Sequence, residues 1–520
     1  MTGRRRTEPA CRTGAFAAAL RRHAPVLAFL LAVIAYYVFL ISAGHMTRWH
    51  AWSAFVDAQA EGLRQGHLYL REAPSRALQE LANPYDPANM RFWRWDHTYY
   101  RGHLYLYWGM VPAMLLAGVK TLFRLTNVVT DDVLVFVFAV GRLIVGTVLL
   151  RALAARVMPR PPRWAVWLTL LVFALANPMP YTLNRGAVYE VAIVGGAFFM
   201  LAGLACALKA MFAADARVAV RWLLAGSVAL GLAGGTRISL LPVIVVVAVA
   251  AGLVRWRIDG GGRVPLLRAL AAAGGPAAAL VLAHFVLNYL RFGEWTEFGA
   301  RYQMGWVMKA SPRFAFADAW IYFLGPPSHA CKFPFLFAHW KTVHGLMPGW
   351  FPWPAGHNHD EPSIGLFVVV WFAWLAVAYI PVAIVRRRRA AAATAVDSGV
   401  PAEPWRQRWI WLGPLLYTLG GLAPVLMLFA TTMRYELDFS SGLLLLSALA
   451  GWRLLALPAS RAGRRAVAAT YVLLAAVTIA AGLLLGFGGY FNHFGRHNPT
   501  LLRGLEQTLS VCPAPVPAPK

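Results

Sequence analysis

The chain has 520 residues, 59% of them hydrophobic and only 14% charged, with a formal net charge of +27. A soluble domain carries about 25% charged residues, and a chain this apolar lacks the polar surface to cover a soluble fold; a secreted disulfide scaffold, a coiled coil and a disordered chain are excluded. The basic excess does not point to nucleic acid, because the bases form short clusters between apolar blocks (Arg4-Arg5-Arg6, Arg21-Arg22, Arg160 with Arg163, Arg255 with Arg257, Arg386 to Arg389, Arg464-Arg465), as the positive-inside rule produces.

The apolar blocks are long enough to cross about 30 Å of hydrocarbon. In chain order, spans are expected near 24–43, 132–150, 164–182, 188–208, 220–235, 239–254, 265–289, 363–385, 409–430, 440–457 and 466–489. The first follows a basic segment without a small-residue cleavage site and is expected to stay as an anchor. The result is an all-α polytopic membrane protein of about eleven transmembrane helices, with a cytoplasmic N-terminus and an outer C-terminus. Residues 1–489 are expected as the transmembrane domain and 490–520 as a short outer tail.

The segment 104–125 competes for a twelfth span. Its unbroken apolar run is short, Pro112 lies inside it, and Lys120 and Arg124 follow. Counting it as a span would put Arg386 to Arg389 outside; leaving it out puts 24 Lys and Arg against five acids on the cytoplasmic side. We therefore expect 107–125 to be an interfacial helix. Two long outer loops result, 44–131 and about 290–361, so the working surface is expected to face outward. Cys331 and Cys512 both fall outside, where a disulfide between them is open to form.

In the first loop, Trp52, Phe55, Val56, Ala60 and Leu63 share one helical face, while Asp57, Glu61 and Arg64 share the other, a pattern for a helix on the membrane surface. Two readings of Asp57 stand. It is a carboxylate poised to take a proton from an acceptor hydroxyl, or it and Glu61 balance Arg64 on an ion-paired helix. Downstream, the aromatics from Phe92 to Trp108 suit sugar stacking or an interfacial belt. Asp96 and His97 are candidates for a second acid or for ligands of a divalent ion, which stays open as a cofactor; no metal site is assigned. Arg237 and Arg434 sit at outer helix ends, where a lipid phosphate would meet a guanidinium fork; local pairing of Arg434 with Glu436 or Asp438 is the alternative. Arg142 lies at mid-helix depth and either snorkels or pairs within the bundle. Arg185 with Glu190, and Arg301 in the second loop, are candidates for shaping an acceptor site. The His357-Asn358-His359-Asp360 cluster looks metal-like but is more simply a solvated loop.

These features resemble the GT-C superfamily of integral membrane glycosyltransferases, in particular the bacterial branch related to protein mannosyltransferases and aminoarabinose transferases. The likeness rests on the anchor followed by a large first loop with an acid on an interfacial helix. It also rests on Gly102 to Gly109 leading into Pro112, on the 291–303 stretch, and on Arg434-Tyr435 opening a late span. The resemblance implies that Asp57 is the catalytic base and that Arg434 helps hold the phosphate of a polyprenyl-phosphate sugar; Arg237, by its place at an outer helix end, is a candidate to assist it. The chain departs from the family pattern: one acid stands where two are common, Trp108 to Pro112 replaces His-Pro-Pro, and no proline follows Arg434-Tyr435. The implied function is inverting transfer of a sugar to an envelope glycan, lipid or protein at the periplasmic face of a bacterial inner membrane. The partners are the lipid-linked donor, the acceptor and membrane lipid, with no nucleic acid. A transporter or flippase of a lipid-linked or anionic solute, and a glycan polymerase or ligase, are the alternatives.

Overall fold

The computed structural model describes residues 10–305, 309–338, 349–351, 353–357, 361–393 and 402–512. Arg4 to Arg6 and residues 358–360 of the His/Asp cluster, singled out in the sequence, lie outside the described residues. The membrane part is all-α. Among the described residues eight helices are long and apolar enough to cross a membrane: His23–Ile41, Asp131–Ala154, Arg163–Thr182, Val188–Phe212, Ala216–Thr236, Ile238–Ile258, Arg263–Phe292 and Arg461–Gly488. Trp374–Ala393, Ala402–Val425 and Leu437–Leu455 occupy the other expected positions.

Two expected spans are broken. The third stops at Leu175 and resumes as Met179–Thr182, because Pro178 can neither donate to the helical ladder nor fit beneath the preceding turn. The 363–385 span starts as the short turns Leu366–Val369 and Trp371–Ala373 before its helix begins at Trp374. There the Phe372 amide donates to Thr478 Oγ1 at 2.8 Å, so a neighbouring helix satisfies the freed backbone group.

Packing inside the bundle relies on small residues. Without a hydrophobic drive between helices in lipid, close backbone approach is what holds them together. A Cβ on Gly482 would lie 1.9 Å from the Leu175 carbonyl oxygen, and one on Gly109 would lie 2.1 Å from that of Gly235. The second contact docks the segment before the interfacial helix onto the end of Ala216–Thr236, which places the first loop over the helix mouths.

At one end of the molecule the two long loops are sewn together. The hairpin β1 (His97–Tyr100) and β2 (His103–Tyr105) is antiparallel, and β1 also pairs with β3 (Gln303–Met304), giving the order β2-β1-β3. Val111–Leu122 has twelve residues, about 18 Å at 1.5 Å per residue, too short to span a bilayer. Met114, Leu115, Val119 and Leu122 are exposed on it while Lys120 is buried, the inverted pattern of a helix whose outer face meets hydrocarbon. Residues 490–512 are not a free tail. His45 Nε2 meets the His497 carbonyl oxygen at 3.0 Å, and Cys331 and Cys512 are joined by a disulfide.

Candidate functional site at the loop face

Asp57 is held in a buried ion pair. It sits on the Phe55–Arg64 helix, buried, and accepts from Lys120 Nζ at 2.7 Å and from the Val129 amide at 3.1 Å. The same ammonium lies 2.5 Å from Glu61 Oε1, which also receives Arg64 Nη1 at 2.9 Å. Asp57, Glu61 and Lys120 therefore clamp the amphipathic helix to the interfacial one. Asp131 completes the anchorage by accepting from Ser53 Oγ and from the Phe55 and Val56 amides at 2.5–3.2 Å, capping the helix from a distance. The ion-paired reading of Asp57 and Glu61 is the one that matches this geometry, and among the described residues no ion pair joins them to Arg434 or Arg237.

Asp96 lies within electrostatic reach of Arg185 and Arg434. It occupies the turn before β1 with φ +65°, a left-handed conformation that Asp tolerates better than most residues. Its amide donates to the Met304 carbonyl at 3.1 Å, fastening the turn to the second loop. His97, a candidate ligand or acid from sequence, is instead buried: its Nδ1 meets the Trp95 carbonyl at 2.9 Å, its Nε2 accepts from Arg94, and burial pushes it down to about 4. It stays neutral and pins the turn that presents Asp96.

The Asp96 carboxylate, half-buried, lies beside the Tyr189 hydroxyl, and Tyr107 lies on the other side of Tyr189. Burial raises the Asp96 pKa, the Tyr189 hydrogen bond and the charges of Arg185 and Arg434 oppose that rise, and Glu361 adds to it. A carboxylate raised by desolvation is a stronger base than an exposed one. Behind it the Tyr189 ring carries the Arg434 guanidinium at 4.5 Å and that of Arg185 at 4.9 Å. Both arginines reach one acid that sequence reasoning passed over. Arg185 Nη1 lies 3.1 Å from Glu361 Oε1, and Arg434 Nη1 is paired with Glu361 Oε2. Thr432 Oγ1 donates to that same oxygen at 2.6 Å. Burial by itself would raise Glu361, but Arg434 and then Arg185 pull it down to about 2. Glu190 stands deeper, fully enclosed, 3.7 Å from Arg434 and 3.9 Å from Arg185.

The remaining candidates divide. Arg237 is taken up by Asp438, with contacts of 2.6–2.8 Å from Nε and Nη2. It still borders the site, since Tyr435 stacks under both Arg237 at 5.0 Å and Arg434 at 5.4 Å. The local partners expected for Arg434 go elsewhere: Asp438 to Arg237, and Glu436 to Ser363. Arg301 is exposed and pairs within its own loop, at 3.0 Å from Glu294 and 3.8 Å from Glu297. Arg142 is enclosed in the bundle, donating to Ser441 Oγ at 3.1–3.2 Å beneath the Phe173 ring. His357 meets Asp318 Oδ1 at 2.7 Å in a buried pair. Among the described residues no group of three His, Cys, Asp or Glu side chains is placed to hold a metal ion.

The sequence had singled out Asp96, Arg185, Glu190 and Arg434, with Tyr107 among the candidate stacking aromatics, but not Glu361, Tyr189 or Thr432. The signal for Glu361 was scarcity. With 22 acids against 49 bases, an acid just before a span has an arginine to meet.

Fold and site together define a multi-pass membrane protein whose loop face carries an aromatic-lined charge cluster, with a half-buried carboxylate near two arginines. No protein-family model and no curated protein matches the chain. Among solved structures it is similar to the oligosaccharyltransferase AglB from Archaeoglobus fulgidus, solved with an inhibitory peptide and a dolichol-phosphate, at 13% identity and TM-score 0.41 over 94% of this chain and 60% of that one. It is likewise similar to the S. cerevisiae protein O-mannosyltransferase Pmt1-Pmt2 complex bound to the sugar donor, at 12% identity and TM-score 0.46 over 88% of this chain and 90% of that one. The chain thus spans about 60% of the archaeal enzyme's length. Likenesses this distant carry no argument about chemistry, which rests on the side chains.

Proposed function

We propose that the protein is an inverting glycosyltransferase of the GT-C kind, moving a sugar from a polyprenyl-phosphate carrier to an acceptor hydroxyl at the loop face. The base in this reading is Asp96 rather than Asp57, whose charge Lys120 already engages. The observation that carries it is the placement of Asp96 and Arg434 about one tyrosine: the carboxylate beside the Tyr189 hydroxyl, the guanidinium 4.5 Å over its ring.

Asp96 takes the proton of the acceptor O–H, and that oxygen attacks the anomeric carbon. The bond from that carbon to the carrier's phosphate oxygen breaks, and its electron pair leaves with the phosphate. Positioned base assistance contributes roughly 10²–10⁴ in rate. Arg434 and Arg185 hold the developing phosphate charge; in a site this enclosed, such preorganised donors supply a term of comparable size. Tyr107 and Trp108, stacked at 4.0 Å, and Trp108 against Tyr189 at 4.9 Å, offer faces on which a sugar ring can lie. Arg237 supports Arg434 through Tyr435. Its charge is balanced by Asp438.

The test is transfer from a panel of polyprenyl-phosphate sugars by the purified protein. Asp96→Asn should lower turnover by about 10²–10⁴ while leaving carrier binding intact. Full turnover in that variant removes Asp96 from the base role. Net movement of the lipid without a covalent product would favour a flippase.

A further inference from the structure

The two arginines of the cluster serve two acids that are built differently. Glu190 projects from the Val188–Phe212 helix, is fully enclosed, and stands at 3.7 and 3.9 Å from them. Glu361 comes from the end of the second long loop, and its side chain is 23% exposed. Yet Glu361 makes the close contacts: its two oxygens take one Nη1 each, from Arg185 and from Arg434. A carboxylate bridging two guanidiniums in this way occupies the place and uses the donor geometry of a phosphate group. The seat also needs an anion, because Arg185 and Arg434 lie close enough for each to disfavour the other's charge.

We propose that Glu361 is a built-in competitor for the anion seat, and that the carrier's phosphate binds by displacing its carboxylate from Arg185 and Arg434. Glu190 stays behind as the permanent counter-charge. A singly charged phosphodiester then replaces one carboxylate charge, leaving the balance of the cluster unchanged. With Glu361 held near 2 by the arginines, protonation at ordinary pH does not open the seat; a ligand has to. Thr432, donating to Glu361 at 2.6 Å, is the catch that favours the closed arrangement. The inference rests on the reading of Arg434 and Arg185 as the phosphate site.

The experiment measures binding of undecaprenyl phosphate to the purified full-length protein in detergent, by titration calorimetry, alongside unfolding temperature with and without that lipid. Glu361→Gln keeps the shape of the side chain and removes its charge; it should bind about tenfold or more tightly. It should also unfold at a lower temperature when free and recover on adding lipid. Thr432→Val should shift affinity in the same direction by less, and it decides the matter should Glu361→Gln fail to fold. Arg434→Gln should abolish binding. If Arg434→Gln abolishes binding while Glu361→Gln and Thr432→Val bind no better than the unaltered protein, the competitor role is overturned and the phosphate site stands. If Arg434→Gln binds normally, the phosphate site itself falls, and the competitor role with it.

Discussion

Replacing Asp57 by Asn separates the two roles this residue has been given. The Lys120 ammonium is 1% exposed and touches Asp57 at 2.7 Å and Glu61 at 2.5 Å. Removing the lysine charge, as in Lys120→Met, leaves the buried Asp57 without a counter-charge and Glu61 with Arg64 alone. Breaking a buried pair in this way costs about 3–5 kcal/mol. Asp57→Asn is milder. Glu61 still neutralises Lys120, and the Asn oxygen can still accept from Lys120 and from the Val129 amide, which Asp57 meets at 3.1 Å. Only the charge assistance of one hydrogen-bonded group is lost, about 1–3 kcal/mol. Thermal unfolding in detergent should therefore rank Lys120→Met below Asp57→Asn, and Asp57→Asn below the unaltered protein. Turnover per folded molecule in Asp57→Asn should fall by far less than the roughly 10²–10⁴ expected of a lost base. An Asp57→Asn protein as stable as the original but without transfer activity would refute the clamp and return Asp57 to the chemistry.

Three further outcomes are expected. If Asp96 is the base, the acid limb of the pH–rate profile should lie above the ordinary carboxylate range, because burial raises its pKa; turnover rises with pH through that limb, and a limb at or below about 4 would count against it. In the second loop, burial pushes Asp318 up to about 9 and His357 down to about 4. Between about pH 4 and 6.5 the two act on stability with opposite signs, since the unfolded histidine gains a proton that the native one does not hold. Above that window only Asp318 acts: the native state keeps a proton the unfolded chain has lost, so stability falls as pH rises towards 9. Asp318→Asn, neutral throughout, should lose that dependence and gain in unfolding temperature relative to the original between pH 7 and 9; parallel curves would contradict the assignment. Finally, non-reducing peptide mapping of the purified protein should recover a Cys331–Cys512 cross-linked peptide, and finding both thiols free would contradict the packing of residues 490–512 onto the second loop.

Composition and periodicity were sufficient for the membrane architecture. Runs of apolar residues of spanning length have few alternatives in lipid, since every backbone group must be paired within a helix. They were sufficient also for the interfacial segment, whose short run and Lys120 argue against a span, and for arginines at helix mouths, where isolated charges are costly enough to stand out. Amphipathic phase correctly put Asp57, Glu61 and Arg64 on one face, but phase says only which way a side chain leaves its helix. Which neighbour it meets there depended on Lys120, 63 residues further along. The converse holds for the charge cluster. Asp96, Tyr189, Glu361 and Arg434 come from four separate stretches of chain and carry no common spacing. They meet because β1 pairs with β3, because Gly109 lets the first loop settle on the helix ends, and because the second loop returns over them. One-dimensional patterns record burial and depth, which are properties of single residues. The pairing of charges is a property of distances between residues far apart in the chain, and only the tertiary fold sets those.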